Sequence, residues 1–407
     1  MRGLRKEIIY LMKDLLNKKV IVVFFCFLVL FLEMFPQEVI GNSRVVKVYS
    51  PESVKLFTPQ TSVVQSMIEA GLKSLFFKET ATEALLSIVS PQDVVGIKVY
   101  SLTGAATGSR REVVLALVHF LKQAGVPDSN IIVWDRSLDI LRQAGYLEIS
   151  KEFGFQVAGS VDEGFDKEVS YSSFFPSTLV AGDVEFPLEK RMNQSVLSDE
   201  ELVKIPENHS GEQIGRRSFI STLLTKKLTK IILVTPLNHH NQLGVSGHIY
   251  SLASGSTDNF LRFESDGFRL SEAVAEVYAM EEVGDKVVLC ITDALVAQYR
   301  GQSEGLLHYS KSLETLYFSK DPVALDWLSL KLMMRLRSSA DRRSLSLSIF
   351  SPAGATLCEN ASLLELGYAD DSKIDLVEIN FPRERKVVSF DTAKSQKNKK
   401  KPWYKFW

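Results

Sequence analysis

The stretch Asp93-Val-Val-Gly-Ile-Lys-Val-Tyr100, running through Ser101-Leu-Thr-Gly-Ala-Ala-Thr-Gly-Ser109 into Arg111 to Ala124, decides the fold. Its first part is an apolar, β-branched run of strand length. A loop of small residues follows, and then apolar side chains at helical spacing that stop at Gly125. A strand, a tight loop and an amphipathic helix in that order open an α/β domain.

The same alternation continues on both sides. Apolar β-rich runs occur at Val45 to Tyr49, Ile131 to Trp134, Lys230 to Val234, Val287 to Ile291, Leu316 to Phe318 and Ile374 to Ile379. Helical patterns at Gln60 to Phe77, Leu270 to Met280 and Pro322 to Arg335 fall between them. The order predicts a mostly parallel β-sheet flanked by helices. Residues 158–229 break the rhythm with polar stretches such as Pro206-Glu-Asn-His-Ser-Gly-Glu212, and are expected as an inserted irregular segment or lid that includes a short hairpin. The chain therefore reads as residues 1–41, an α/β body over 42–385, and a basic aromatic tail over 386–407.

At 407 residues and 45% hydrophobic, the chain can bury a sizeable core, as one large domain or two lobes. The formal net charge of −1 is unevenly spread. Taking away +2 for residues 1–41 and +6 for 394–407 leaves −9 for the body. A body this acidic does not suit phosphate-backbone contacts, so nucleic acid is excluded as a partner. At the amino end Arg2, Arg5, Lys6, Lys13, Lys18 and Lys19 precede the apolar run Val20 to Leu32. Thirteen residues make about 20 Å of helix against a hydrocarbon core of about 30 Å. That length fits a signal-peptide core with cleavage near Val39-Ile40-Gly41; the alternative is an uncleaved signal anchor reaching Phe35. Either one exports the body across, or anchors it to, the cytoplasmic membrane. The tail Lys394 to Trp407 interleaves lysines with aromatics, which reads either as a solvated end or as a membrane-interface anchor.

Chemistry in a parallel sheet collects at the carboxyl ends of the strands. There the loop after the first strand offers Thr103, Gly104, Thr107, Gly108, Ser109 and Arg110 as a cradle for an anionic small molecule. Ser109 and Glu112 also spell a capping box. Lys98 lies inside the strand and points either into the sheet's packing or toward the rim; if buried, it requires a partner or a function. Asp135, Asp293, His239, His240 and His248 follow other strands. Together they suit acid–base work, with Lys98, His240 and Asp293 as the catalytic set, or a divalent metal held by His239, His240 and Asp293. Asp321 and Pro322 read as the cap and first residue of a helix that carries Asp326 in its second turn. Only Cys26, Cys290 and Cys358 occur, without Cys-x-x-Cys spacing, so no iron–sulfur cluster is expected. Cys290 reads as a buried thiol, and a Cys290–Cys358 disulfide is left open.

Four blocks resemble the domain-of-unknown-function family 362: Val94 to Val99 with Leu115 to Gly125, Thr235 to Gly255, Ile291-Thr-Asp293, and Asp321-Pro-Val-Ala-Leu-Asp326. Glu365-Leu-Gly-Tyr368 fits as well, so the resemblance covers roughly residues 45–380. It implies an α/β fold, often exported, with no assigned activity. The family typically has asparagine where this chain has Tyr100, and lysine-threonine-histidine and lysine-asparagine where it has Asn238-His239-His240 and Tyr250-Ser251. Two functions are therefore weighed: an exported enzyme acting on an anionic small molecule at the strand-end rim, and a non-catalytic, membrane-tethered binding or scaffold protein with a degenerate site.

Overall fold

The computed structural model describes residues 42–180, 182–186, 214–340 and 351–382. The amino-terminal apolar run, Pro206 to Glu212 and the basic aromatic tail lie outside the described residues. Within them the strands are β1 (Ser43–Tyr49), β2 (Val54–Lys55), β3 (Thr58–Pro59), β4 (Val95–Val99), β5 (Ile131–Asp135), β6 (Gln156–Gly159), β7 (Phe165–Thr178), β8 (Ile214–Ser221), β9 (Lys230–Asn238), β10 (Val287–Gln298), β11 (Ser310–Ser319) and β12 (Ile374–Asn380). Eight of them form one sheet in the order β12-β1-β11-β10-β9-β4-β5-β6. Every neighbouring pair is parallel except those of β11, which runs against both β1 and β10. The mostly parallel α/β sheet read from the sequence is thus the observed one.

The longer helices are α1 (Thr61–Phe76), α2 (Arg111–Gln123), α3 (His248–Ser256), α4 (Gly267–Tyr278), α5 (Pro322–Ala340) and α6 (Pro352–Leu363). Strand alternation divides the core between them. Val95, Ile97, Ile131, Val133, Ile232, Val234, Leu289 and Ile291 face α1 and α2 in one apolar cluster. Ile132, Trp134, Ile231, Leu233 and Cys290 face the other way, against α3, α4 and α6. Gly71 lets the α1 backbone settle on β11, since a β-carbon there would stand 2.3 Å from the Phe318 ring. Cys290 and Cys358 are both buried free thiols.

The inserted segment is more regular than expected. β7 and β8 pair as an antiparallel ribbon outside the main sheet, and Arg262 holds it down by donating to the carbonyls of Tyr171 and Phe175. Its alternation of half-buried and exposed residues had been masked by serines. Helix α3 was also missed. Its sequence His-Ile-Tyr-Ser-Leu-Ala-Ser-Gly-Ser is buried on nearly every side, so it shows no apolar stripe.

Nor does α3 cap itself. Gly247 is its N-cap and brings no side chain. The cap comes from α5: Asp326 accepts the backbone N–H groups of His248 at 2.7 Å and Ile249 at 3.0 Å. Gly247 sits at φ +54, and a β-carbon there would meet the Asp326 carboxylate at 2.6 Å. Asp321 caps α5 as expected, accepting from the Ala324 N–H at 2.8 Å. Burial outweighs the two N–H donors and pushes the Asp326 carboxyl up to about 7. Asp326→Ala is expected to lower stability by about 2 kcal/mol in chemical denaturation, and hydrogen exchange should speed up first in residues 248–256.

Candidate functional site

At the carboxyl end of β4, Lys98 is buried, and its ammonium is fully engaged. It donates to the Val99 carbonyl at 2.7 Å, Asp135 Oδ1 at 2.8 Å and Ser251 Oγ at 3.2 Å. Those are all the protons an ammonium has. Asp135, the last residue of β5, also accepts the Arg136 N–H at 2.8 Å, and its other oxygen takes the Ser101 N–H and hydroxyl at 2.8 and 2.6 Å. Gly255 clears the path of the lysine, because a β-carbon there would be 2.4 Å from Lys98 Cε. Burial draws the Lys98 ammonium below its usual range, and Asp135 pulls it back.

The loop after β4 is stitched down rather than open. Asn238, ending β9, donates to Thr103 Oγ1 at 3.1 Å and to the Thr107 carbonyl at 2.7 Å. Ser109 Oγ accepts the Tyr100 N–H at 2.9 Å and donates to the Val234 carbonyl at 2.6 Å. The expected capping box is therefore absent: helix α2 begins at Arg111 without a side-chain cap from Ser109, whose hydroxyl joins β4 to β9 instead. Arg110 turns back on its own loop, donating to the carbonyls of Gly108 at 2.9 Å and Ala106 at 3.2 Å. The N–H groups of Gly108 and Ser109 bond to the carbonyls of Gly104 and Tyr100. Thr103, Gly104, Thr107, Gly108, Ser109 and Arg110 do form one tight turn, but polar atoms expected to cradle an anion already have partners, in the turn itself or on β9 and β10.

Asp293 is fully buried on β10, where it accepts the Arg110 N–H at 2.9 Å and the Leu295 N–H at 3.2 Å. The Arg110 guanidinium lies 3.8 Å away. Burial raises this carboxyl, and Arg110 opposes the rise. Strand parity keeps it from Lys98. Asp293 shares the face of Ile291 and Leu289, which pack with α1 and α2, whereas Lys98 shares the face of Trp134, packed with α3. Two residues of the expected catalytic set thus point to opposite sides of one sheet.

The histidines diverge too. His239 lies 3.3 Å from the Gly301 carbonyl and 2.6 Å from the Arg337 guanidinium. Burial, then the Arg337 charge, pushes it down to about 4. His240 turns inward: its Nδ1 accepts the N–H groups of Gln242 at 3.3 Å and Leu243 at 3.1 Å, and its ring lies 4.4 Å from that of Tyr250. His248 bridges Thr235 Oγ1 at 2.6 Å and Thr292 Oγ1 at 2.9 Å. Burial pushes both down to about 3, so all are neutral imidazoles at pH 7. Among the described residues no three His, Cys, Asp or Glu side chains are placed to hold a metal ion, and the expected set of His239, His240 and Asp293 is not drawn together. The physical reason is that adjacent histidines diverge around the loop while Asp293 lies under α2.

One group at this end escaped the sequence reading. Glu264 is partly exposed, accepts the Tyr250 hydroxyl at 2.7 Å and lies 3.7 Å from His240 Nε2. Burial raises its carboxyl. Asn238 Oδ1 is buried without a hydrogen-bond partner. Burial lifts the Tyr100 phenol well above its usual range; a hydrogen bond with the Ser246 hydroxyl opposes the rise, and the Asp135 and Glu264 charges add to it. No spacing announces this group, because Glu264 comes from the loop between α3 and α4.

No protein-family profile matches the chain, and no curated protein matches it. Among solved structures, a crystal structure of a Thermotoga maritima protein determined as a structural-genomics target aligns with a TM-score of 0.36 at 12% identity. The alignment covers 76% of this chain and 60% of that one, so the chain spans less than two thirds of its length. No helix among the described residues is long and apolar enough to cross a membrane, and Val20 to Leu32 lies outside them.

Lys98→Met leaves the Asp135 carboxylate buried without its cation and is expected to cost about 3–5 kcal/mol in urea denaturation, most of it recovered in Lys98→Met/Asp135→Asn. An unchanged midpoint in the single variant would show that the pair is not structural. His248 has a folded value below its unfolded one, so its favourable contribution is complete above pH 6.5 and fades as the pH falls toward about 3. The stability gap between the natural protein and His248→Gln should therefore be widest near pH 7.5 and narrow steadily on acidification.

Proposed function

We propose that the protein is a non-catalytic, membrane-tethered envelope scaffold, a divergent member of domain-of-unknown-function family 362 whose strand-end charges serve the fold rather than a reaction. One observation carries this reading: the buried charges close on each other, Lys98 with Asp135 and Arg110 with Asp293, on opposite faces of the sheet. A catalyst needs its acid, base and anion-binding groups around one reacting atom, with a proton or lone pair to spare. The family reading is supported by how its four blocks meet. Lys98 of the first bonds Ser251 of the second, Asp326 of the fourth caps the helix that carries Ser251, and Thr292 of the third bonds His248 of the second. Export and tethering rest on the basic flank and apolar run of residues 1–41.

One observation favours a catalytic alternative. Glu264, with its raised carboxyl, meets Tyr250 and His240 within reach of solvent. A carboxyl perturbed by burial beside a phenol and an imidazole is a candidate binding or reaction site. The full-length protein should therefore be melted against inorganic phosphate, citrate, Mg²⁺, Mn²⁺ and Zn²⁺. The scaffold reading expects no saturable rise in Tm. A saturable rise that disappears in Glu264→Gln would overturn it in favour of a working site.

A further inference from the structure

The opposite end of the sheet carries a different kind of surface. A cavity of about 750 Å³ opens there, lined by Asn42 and Arg44 beside Phe77 on one rim and by Ser362, Glu365 and Tyr368 on the other. Phe77, which lines it, is 75% exposed, and Leu363 at 82% and Leu364 at 43%, between its lining residues Ser362 and Glu365 in the chain, are exposed as well. Phe77 stands just past the end of α1 at φ 53, where its N–H closes the helix on the Lys73 carbonyl. Glycine is the usual residue at such a stop, since a side chain strains the left-handed backbone. The fold keeps an aromatic here without burying it. Arg44 lies over the ring at 4.3 Å and is paired with Asp375 at 3.1 Å. Lys320 and Glu365 line the cavity, and Lys78 and Glu79, next in the chain to Phe77, are exposed, so charges of both signs offset one another and the attraction of the surface is apolar rather than electrostatic.

Asn42, where the described chain begins, opens onto this cavity. Nine residues, 33–41, separate it from the apolar run Val20 to Leu32, and nine residues reach at most about 30 Å. We propose that this amino-end face docks on the bilayer surface, with Phe77, Leu363 and Leu364 entering the headgroup layer and Lys78 and Lys320 at phosphate level. The proposal rests on the tethering reading of residues 1–41. It turns the opposite, strand-end rim toward the aqueous compartment.

The test uses the full-length protein in phosphatidylcholine vesicles, with Phe77→Trp and Leu363→Trp compared against Leu102→Trp at the opposite rim, and the unsubstituted protein as baseline. Brominated lipids should quench and blue-shift the emission added at positions 77 and 363 and leave that at 102 unaffected. Retention on the vesicles at alkaline pH, with no extra quenching at either position, would overturn the docking and leave the tether standing. Release at alkaline pH would overturn the tether, and the docking with it.

Discussion

A lysine placed in a strand that is covered on both faces has to keep its charge compensated, and the way Lys98 does so governs the whole carboxyl end of the sheet. The partner is the carboxylate that ends the neighbouring strand. Asp135 accepts from Lys98, from the N–H and hydroxyl of Ser101, and from the Arg136 N–H. One side chain thus ties together β4, β5 and the loop that leaves β4. Ser251 and the missing side chain of Gly255 bring α3 into the same contact.

The same solution recurs around the rim. Asp293 accepts the first backbone N–H of the segment that becomes α2, Asn238 fastens the loop to β9, and Asp326 reaches from α5 to cap α3. Each of these contacts joins two elements, so the rim behaves as one interlocked layer. Most polar groups of the described rim therefore already have protein partners. The exception is the corner formed by Glu264, Tyr250 and His240, where a carboxyl reaches solvent.

The sheet also has a direction. Its carboxyl end is polar and closed, whereas its amino end is apolar-rimmed and open, and the chain enters the fold at the open end. A protein held by its amino-terminal segment would present those two ends to different surroundings, which is a physical reason for the two surfaces to differ so sharply.

Strand and helix order were legible because apolar periodicity is local: Val95–Val99, Ile131–Asp135 and Arg111–Gln123 lie close to where their patterns predict them. The right residue types were also visible at the strand ends, including Lys98, Asp135 and Asp293. Helix α3 was not legible, because a helix buried on every side has no stripe and this one borrows its cap from residue 326. By itself, then, the sequence determined the α/β class and seven of the eight strands of the main sheet, all but the edge strand Gln156–Gly159, since these follow from side-chain size and branching along a short stretch. Only the tertiary structure decided that Lys98 meets Asp135 while Asp293 faces the far side of the sheet. That outcome depends on pairing register and strand parity between segments about two hundred residues apart, which no local pattern encodes.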